Sequence, residues 1–213
     1  VAVILDITEL KAADRAKDDF LAILSHELLT PLTCILGWAE VGELSADPEL
    51  RGQALEVIHY NAKRLRYLVG DLLSITRLRH GTLVVRPEAV DLRALASEAA
   101  QSQQHIAEQR GIRLAWAPPD DPLPILADPA RIRQVIDNLL SNALKFTEAG
   151  GAVTLACRRE GDMAVLAVHD TGRGLDPAVI PELFKPFQQP GRGGGVEGLG
   201  LGLSLVKGLV ELH

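Results

Sequence analysis

Cysteine is scarce in this chain of 213 residues. Cys34 and Cys157 lie far apart in sequence and outside any metal-ligand spacing. That favours two free thiols in a reducing compartment over a disulfide or a zinc site. A surplus of positive charge is also lacking: 22 basic residues against 28 acidic give a net charge of -6. Nothing in the balance draws the whole molecule to nucleic acid or to an anionic membrane. No signal peptide opens the chain, and no apolar run nears the eighteen or so residues that span a bilayer. No membrane contact is therefore expected within residues 1–213, and internal repeats are absent. What is present suits a globular protein of about two domains, with 47% hydrophobic and 23% charged residues.

Val1-Ala2-Val3-Ile4-Leu5 reads as a buried strand with no partner nearby in sequence, as expected of a piece of a longer protein. A helical pattern follows from about Thr8 to Gly42, and a second from Pro48 to His80, across the turn Ser45-Ala46-Asp47-Pro48. In the second helix Ala54, Ile58, Asn61, Leu65, Leu68, Leu72 and Ile75 alternate steps of four and three. This is a coiled-coil seam with one polar interruption, Asn61. Leu55, Val57, Val69, Leu73 and Leu78 widen the stripe beyond what one hairpin can bury. A homodimer, pairing two hairpins into a four-helix bundle, is the simplest cover for it.

After Gly81 the pattern becomes α/β. Leu83-Val84-Val85 predicts a short strand, residues 91–110 a helix capped by Asp91, and residues 112–117 a strand. A turn rich in proline (Pro118, Pro119, Pro122, Pro124) leads to a helix over 129–146. Residues 153–158 and 163–168 predict paired strands, 177–184 a short helix, and 201–213 a final one. Between the last two, residues 188–198 hold five glycines and read as a mobile loop.

Three clusters in this half carry chemistry. Asn138, Asn142 and Lys145 stand four and three apart on one helix face. Two amides and an amine suit Mg²⁺, which takes oxygen ligands, and the phosphates around it; alternatively they form a solvated polar stripe. Asp170-Thr171-Gly172-Arg173-Gly174 follows a strand. There a carboxylate can accept from an exocyclic amine and the glycines let backbone approach a flat ring, or the segment is an ordinary turn. Gly198-Leu199-Gly200-Leu201-Gly202-Leu203 opens the last helix and presents N–H groups to phosphate, or serves as a flexible joint.

Taken in order, these clusters resemble the ATP site shared by gyrase, Hsp90, histidine kinases and MutL, over about residues 87–213. Residues 138–147 resemble the N box of the histidine kinase branch, 170–174 its first glycine box, Phe184-Lys185-Pro186-Phe187 its F box, and 198–203 its second glycine box. The resemblance implies Asn142 as the main Mg²⁺ ligand with Asn138 beside it, and Lys145 at the phosphates. It places Phe146 on the adenine face, Asp170 at the adenine amine, and Gly172, Gly174, Gly198, Gly200 and Gly202 along the nucleotide. The ATPase branches carry glutamate where this chain has Asn138. An amide cannot activate water as a base, so hydrolysis is disfavoured.

In the first half, His26 lies within Phe20-Leu21-Ala22-Ile23-Leu24-Ser25-His26-Glu27-Leu28-Leu29-Thr30-Pro31-Leu32. A helical histidine can be a plain surface residue. Here Glu27 can orient its ring, Thr30 can position a water, and Pro31 weakens the turn. Residues 19–80 resemble a HisKA-type dimerisation and phosphotransfer domain. That implies His26 as phosphoryl acceptor, Glu27 as its assistant, and Thr30 as a support for phosphatase activity. Val1–Thr8 resembles the end of a PAS sensor domain, so residues 1–18 are expected to be that end plus a helical linker.

Two departures stand out. Leu29 occupies a position where the family carries arginine. The chain stops at His213, where the family continues into two more strands, so a C-terminally shortened sheet is expected. The whole reading is a sensor histidine kinase core in the cytoplasm. It has a helical hairpin forming a dimeric four-helix bundle, then an α/β sandwich that takes ATP and Mg²⁺. A response regulator is the partner and nucleic acid is not. A degenerate module that binds nucleotide without transfer, and a plain ATPase, are the alternatives.

Overall fold

The two long periodicities form two long helices, α1 (Thr8–Leu44) and α2 (Pro48–Arg79). The computed structural model describes residues 8–184 and 200–213. The expected opening strand, the mobile loop, Gly198 and residues 185–187 of the F box lie outside these. By its contacts the chain divides into two compact units, the first ending at Leu73 and the second beginning at Ser74.

In the first unit α1 turns inward Leu24, Leu28, Pro31, Ile35 and Trp38, again in steps of four and three. On α2 the seam runs through buried Ala54 and Asn61. Gly42 and Ala54 bring the two backbones close: a Cβ on Gly42 would stand 3.3 Å from that of Ala54. Pro31 is fully buried and α1 runs through it unbroken. Its packing offsets the hydrogen bond that its missing N–H denies the carbonyl of Glu27. Asn61 donates its Nδ2 to the Val57 carbonyl at 2.9 Å, so the polar interruption of the seam is satisfied within its own helix.

A second apolar surface stays uncovered, since Leu29 and Leu36 are each 58% exposed and Leu55 67%. The segment Leu21–Leu44 has a mean hydropathy of 1.3 and is long and apolar enough to cross a membrane by length and composition. This differs from the sequence expectation. Polar residues such as Ser25, Thr30 and Thr33 keep every apolar run short, yet the stretches between them are rich in leucine and isoleucine, so the average stays high.

The second unit is an α/β layer structure. Strand β1 (Glu88–Asp91) passes directly into α3 (Leu92–Gln109). Then come β2 (Arg113–Ala117), β3 (Pro124–Ala127), α4 (Pro129–Phe146), β4 (Ala152–Glu160) and β5 (Met163–Asp170). A 3-10 turn at Pro177–Val179, α5 (Ile180–Leu183) and α6 (Gly202–Glu211) complete it. β2 pairs parallel with β4, and β4 antiparallel with β5, giving the order β2-β4-β5. β1 and β3 form a separate antiparallel pair.

Helices α3 and α4 lie on the three-stranded sheet and enclose a core of Ala96, Ala99, Ile136, Leu140, Leu144, Val153 and Leu155. The small alanines of α3 let that helix approach the larger side chains of α4. Asp91 caps α3 as expected, its Oδ1 accepting from the N–H groups of Arg93 and Leu123.

Two expectations need correction. Leu83-Val84-Val85 is not a strand, and the extended segment is instead Glu88–Asp91. Its partner β3 lies inside the stretch read as a proline-rich turn. Pro124 is tolerated there because it begins the strand, where no interior ladder donor is lost. Leu83 is buried all the same, while Val84 is 74% exposed. Both cysteines are free, as expected. Burial pushes the Cys157 thiol up, the Asp91 carboxylate adds to that, and Arg93 opposes it. The thiol is accordingly an inert core group.

Candidate functional site

Helix periodicity decides what each residue of the His26 turn can reach. Neighbours one apart on a helix point about 100° from each other. His26 is exposed, whereas the Glu27 side chain retains only 12% exposure and turns towards α2. There its Oε2 meets Nη2 of Arg64 at 3.4 Å. The carboxylate expected to orient the His26 ring is thus paired across the hairpin with a residue 37 positions on. Sequence reasoning missed Arg64, because no local pattern joins positions so far apart.

Thr30 is exposed and donates its hydroxyl to the His26 carbonyl at 2.9 Å. Its oxygen keeps acceptor capacity for a water molecule. Leu29 is exposed beside His26 and presents an apolar side chain there.

In the second unit α4 carries four of the expected residues. Its start is fixed by Asp128, whose Oδ1 accepts from the N–H groups of Ala130 and Arg131 and whose Oδ2 accepts from that of Arg86. Burial alone pushes the Asp128 carboxyl up. The three N–H donors and the Arg131 charge outweigh it and hold the group below its ordinary value. The Asp128 N–H donates in turn to Nε2 of His213 at 3.0 Å, and Nδ1 of that ring meets the Leu209 carbonyl at 2.7 Å. The Leu209 carbonyl can only accept, so Nδ1 is the donor of the ring and Nε2 its acceptor.

Asn138 and Asn142, one turn apart and half-buried, converge on the first residue of α6. A Cβ on Gly202 would stand 3.3 Å from Asn138 Oδ1 and 3.6 Å from Asn142 Nδ2. Gly202 therefore makes room for both amides. Leu201, before it, offers no side-chain cap, leaving the first N–H groups of α6 to other acceptors. Gly200 adopts φ +65° just ahead. The donor set suits Mg²⁺: amide oxygens are hard ligands, and that ion takes few from protein and the rest from water and phosphate. No group of three or more histidine, cysteine or acidic side chains competes for a metal among the described residues.

At the far end of α4, Lys145 Nζ stands 5.5 Å and Arg173 Cζ 5.2 Å from the centre of the Phe146 ring. Arg173 was not among the expected residues, since its position within Asp-x-Gly-x-Gly carries no side-chain requirement. Asp170 ends β5, and its Oδ1 accepts from the Gly172 N–H at 2.9 Å. Gly172 is seated against the Phe146 carbonyl so tightly that a Cβ would collide with it. Gly174 has φ +68°, a left-handed conformation that favours glycine. Thr171 ties the loop to β4, its Oγ1 accepting from the Ala152 N–H at 2.9 Å. The structure thus gathers Asn138, Asn142 and Gly202 at one place, and Lys145, Phe146, Asp170 and Gly172 at another, along one helix.

Comparison with known proteins gives the following. Residues 16–81 match the model of the His Kinase A (phospho-acceptor) domain, and residues 127–213 that of the histidine kinase-, DNA gyrase B-, and HSP90-like ATPases. The virulence sensor protein BvgS of Bordetella bronchiseptica is 41% identical over 212 residues, covering 94% of this chain and 17% of BvgS. Sensor protein TorS of Escherichia coli is 40% identical over 201 residues, 92% of this chain and 22% of TorS. A crystal structure of full-length ShkA in complex with AMPPNP is similar with a TM-score of 0.66 and 35% identity, over 90% of this chain and 40% of ShkA. The histidine kinase AdeS of Acinetobacter baumannii shares the fold, with a TM-score of 0.63 at 24% identity.

Proposed function

Because this chain belongs to the histidine kinases, with a phospho-acceptor hairpin ahead of an ATP-binding unit, we propose that it transfers the γ-phosphate of ATP to His26. The phosphoryl group then passes to an aspartate of a response regulator. The chain spans less than a quarter of the length of the curated sensors BvgS and TorS.

The observation that carries this reading is the convergence of Asn138 and Asn142 on Gly202 at an uncapped helix start. Backbone N–H groups and amides meet there as phosphates require. Asn142, with Asn138, would hold Mg²⁺, which when bound supplies positive charge against the phosphates. Lys145 is assigned to the phosphates, Phe146 and Asp170 to the adenine, and Gly172, Gly174, Gly198, Gly200 and Gly202 to close backbone approach. Asn138 in place of a carboxylate leaves no base for water at that position, which favours transfer over hydrolysis.

His26 is the acceptor in this scheme, with Glu27 taking up its proton. Thr30 supports phosphatase activity, the loss of phosphate from the phosphorylated regulator, because its oxygen can hold a water while its hydrogen stays on the His26 carbonyl. Dimerisation through the exposed leucines of the hairpin supplies the second pair of helices. We place this part of the parent protein in the cytoplasm, where ATP is available.

Incubation with γ-labelled ATP is the test. Label that is acid-labile and base-stable should form on the wild-type chain and be absent from His26→Gln, with nucleotide affinity retained. Label that survives His26→Gln removes His26 from the reaction.

A further inference from the structure

Phosphotransfer as described asks nothing of Arg64, which pairs with Glu27 inside the hairpin. A glutamate with 12% side-chain exposure needs a partner, because an isolated carboxylate taken from water is costly. Arg64 supplies it from α2, its own side chain 25% exposed. The two meet through Nη2 and Oε2 at 3.4 Å, which is long for a charge-assisted bond. Such a contact holds a side chain yet releases it readily. The Glu27 carbonyl also lacks its usual helical partner, since Pro31 offers it no N–H.

In the transfer step one ring nitrogen of His26 forms the N–P bond with its lone pair. The P–O bond to the β-phosphate breaks, and its electron pair leaves with ADP. The proton on the other ring nitrogen must pass to a base. Glu27 is the adjacent carboxylate, but in the resting arrangement it faces α2 while His26 faces outward.

We propose that Arg64 is a positioning residue for phosphotransfer, holding the Glu27 carboxylate in the hairpin interior and so limiting how often it reaches the His26 ring. This deepens the reading of His26 as phosphoryl acceptor and rests on it. Weakening the hold raises the fraction of molecules with Glu27 free to accept the proton. ATP binding, set by the second unit, is untouched. A partly exposed ion pair can bias such an equilibrium by up to about fivefold.

The test is a four-member cycle in the whole chain: wild type, Arg64→Gln, Glu27→Gln and the double variant. Folding is checked by circular dichroism, and autophosphorylation is followed over a range of ATP concentrations. Arg64→Gln should raise kcat by up to about fivefold at unchanged KM. The same substitution should have no effect in the Glu27→Gln background. Arg64→Lys, which keeps the charge on a looser point donor, should fall between wild type and Arg64→Gln. A fall in kcat, an equal change in both backgrounds, or a shift confined to KM overturns the proposal. If Arg64→Gln does not fold, Arg64→Lys decides, and a rate at or below wild type counts against it. A wild-type chain that takes no acid-labile label at all would instead overturn the assignment of His26.

Discussion

Replacing Gly172 with alanine puts a methyl group into the tightest of the described glycine positions. The new Cβ would lie 2.7 Å from Asp170 Oδ1, 3.0 Å from the Phe146 carbonyl carbon, and closer still to the Phe146 oxygen. The Asp170 carboxylate can rotate away, but only by giving up its bond to the Gly172 N–H. The Phe146 carbonyl is the backbone of the last turn of α4 and cannot rotate at all. Relief therefore requires the 170–174 loop to lift from the helix end. Overpacking of this kind costs about 1–3 kcal/mol, and an obstacle made of backbone puts Gly172→Ala in the upper part of that range. The corresponding fall in melting temperature is about 5–10 °C.

Gly174 makes a useful contrast, because nothing lies within 4 Å of its would-be Cβ and its cost is the φ of +68° alone, about 1 kcal/mol. Thermal melts by circular dichroism and titration with a fluorescent adenine nucleotide read the two effects separately. Gly172→Ala should melt lower than Gly174→Ala and lose nucleotide affinity at a temperature where it is still folded. If it melts within a degree of wild type and binds nucleotide as before, the loop is not set by its contact with α4, and the geometry argued for Asp170 falls with it.

Two further outcomes are expected. Asp128→Ala should cost about 1 kcal/mol, the usual worth of an N-cap. The carboxyl is held below its ordinary value, so its contribution is complete above about pH 4 and lost as pH falls through the lowered value. Urea midpoints between about pH 3 and 7 should converge for wild type and variant at the acid end, and parallel curves would contradict this. Asn61→Leu should raise the melting temperature, by about 1 kcal/mol in stability, because the amide is buried and bonds only its own helix. Sedimentation should then show a less uniform association state, and a lower melting temperature would mean that the amide does more than satisfy Val57.

The long periodic segments were legible because their signals are local. The steps of four and three in α2, the cap at Asp91 and the amide spacing on α4 each follow from residues within a few turns of one another. β1 and β3 were not legible for the opposite reason. Four residues beginning with proline, paired to four others far upstream, have no period to read, and the more strand-like Leu83-Val84-Val85 lacks a partner. The site divides in the same way. Asn138, Asn142 and Lys145 announce themselves by spacing, and Gly202 by its place at a helix start. The partnership of Glu27 with Arg64 exists only once α1 and α2 lie side by side. The stacking of Arg173 over Phe146 exists only once β5 has returned to the end of α4.

The junction at Asp128 bears on how the chain is made. Its bonds within α4 join neighbours, so the first turn of that helix can close as soon as it leaves the ribosome. The bond from Arg86 already has its donor waiting, 42 residues upstream. The acceptor for the Asp128 N–H, His213, is synthesised 85 residues later, about 4–17 s at ordinary rates of translation. For that interval the Asp128 N–H is without the acceptor it has in the folded chain, and α6 is not yet there beside the Asn138 and Asn142 amides. A nascent chain of this kind carries the Asn138 and Asn142 amides uncovered until Gly202 has been made. The order of emergence makes α6, which shapes the site through Gly202, also the element that ends this exposure.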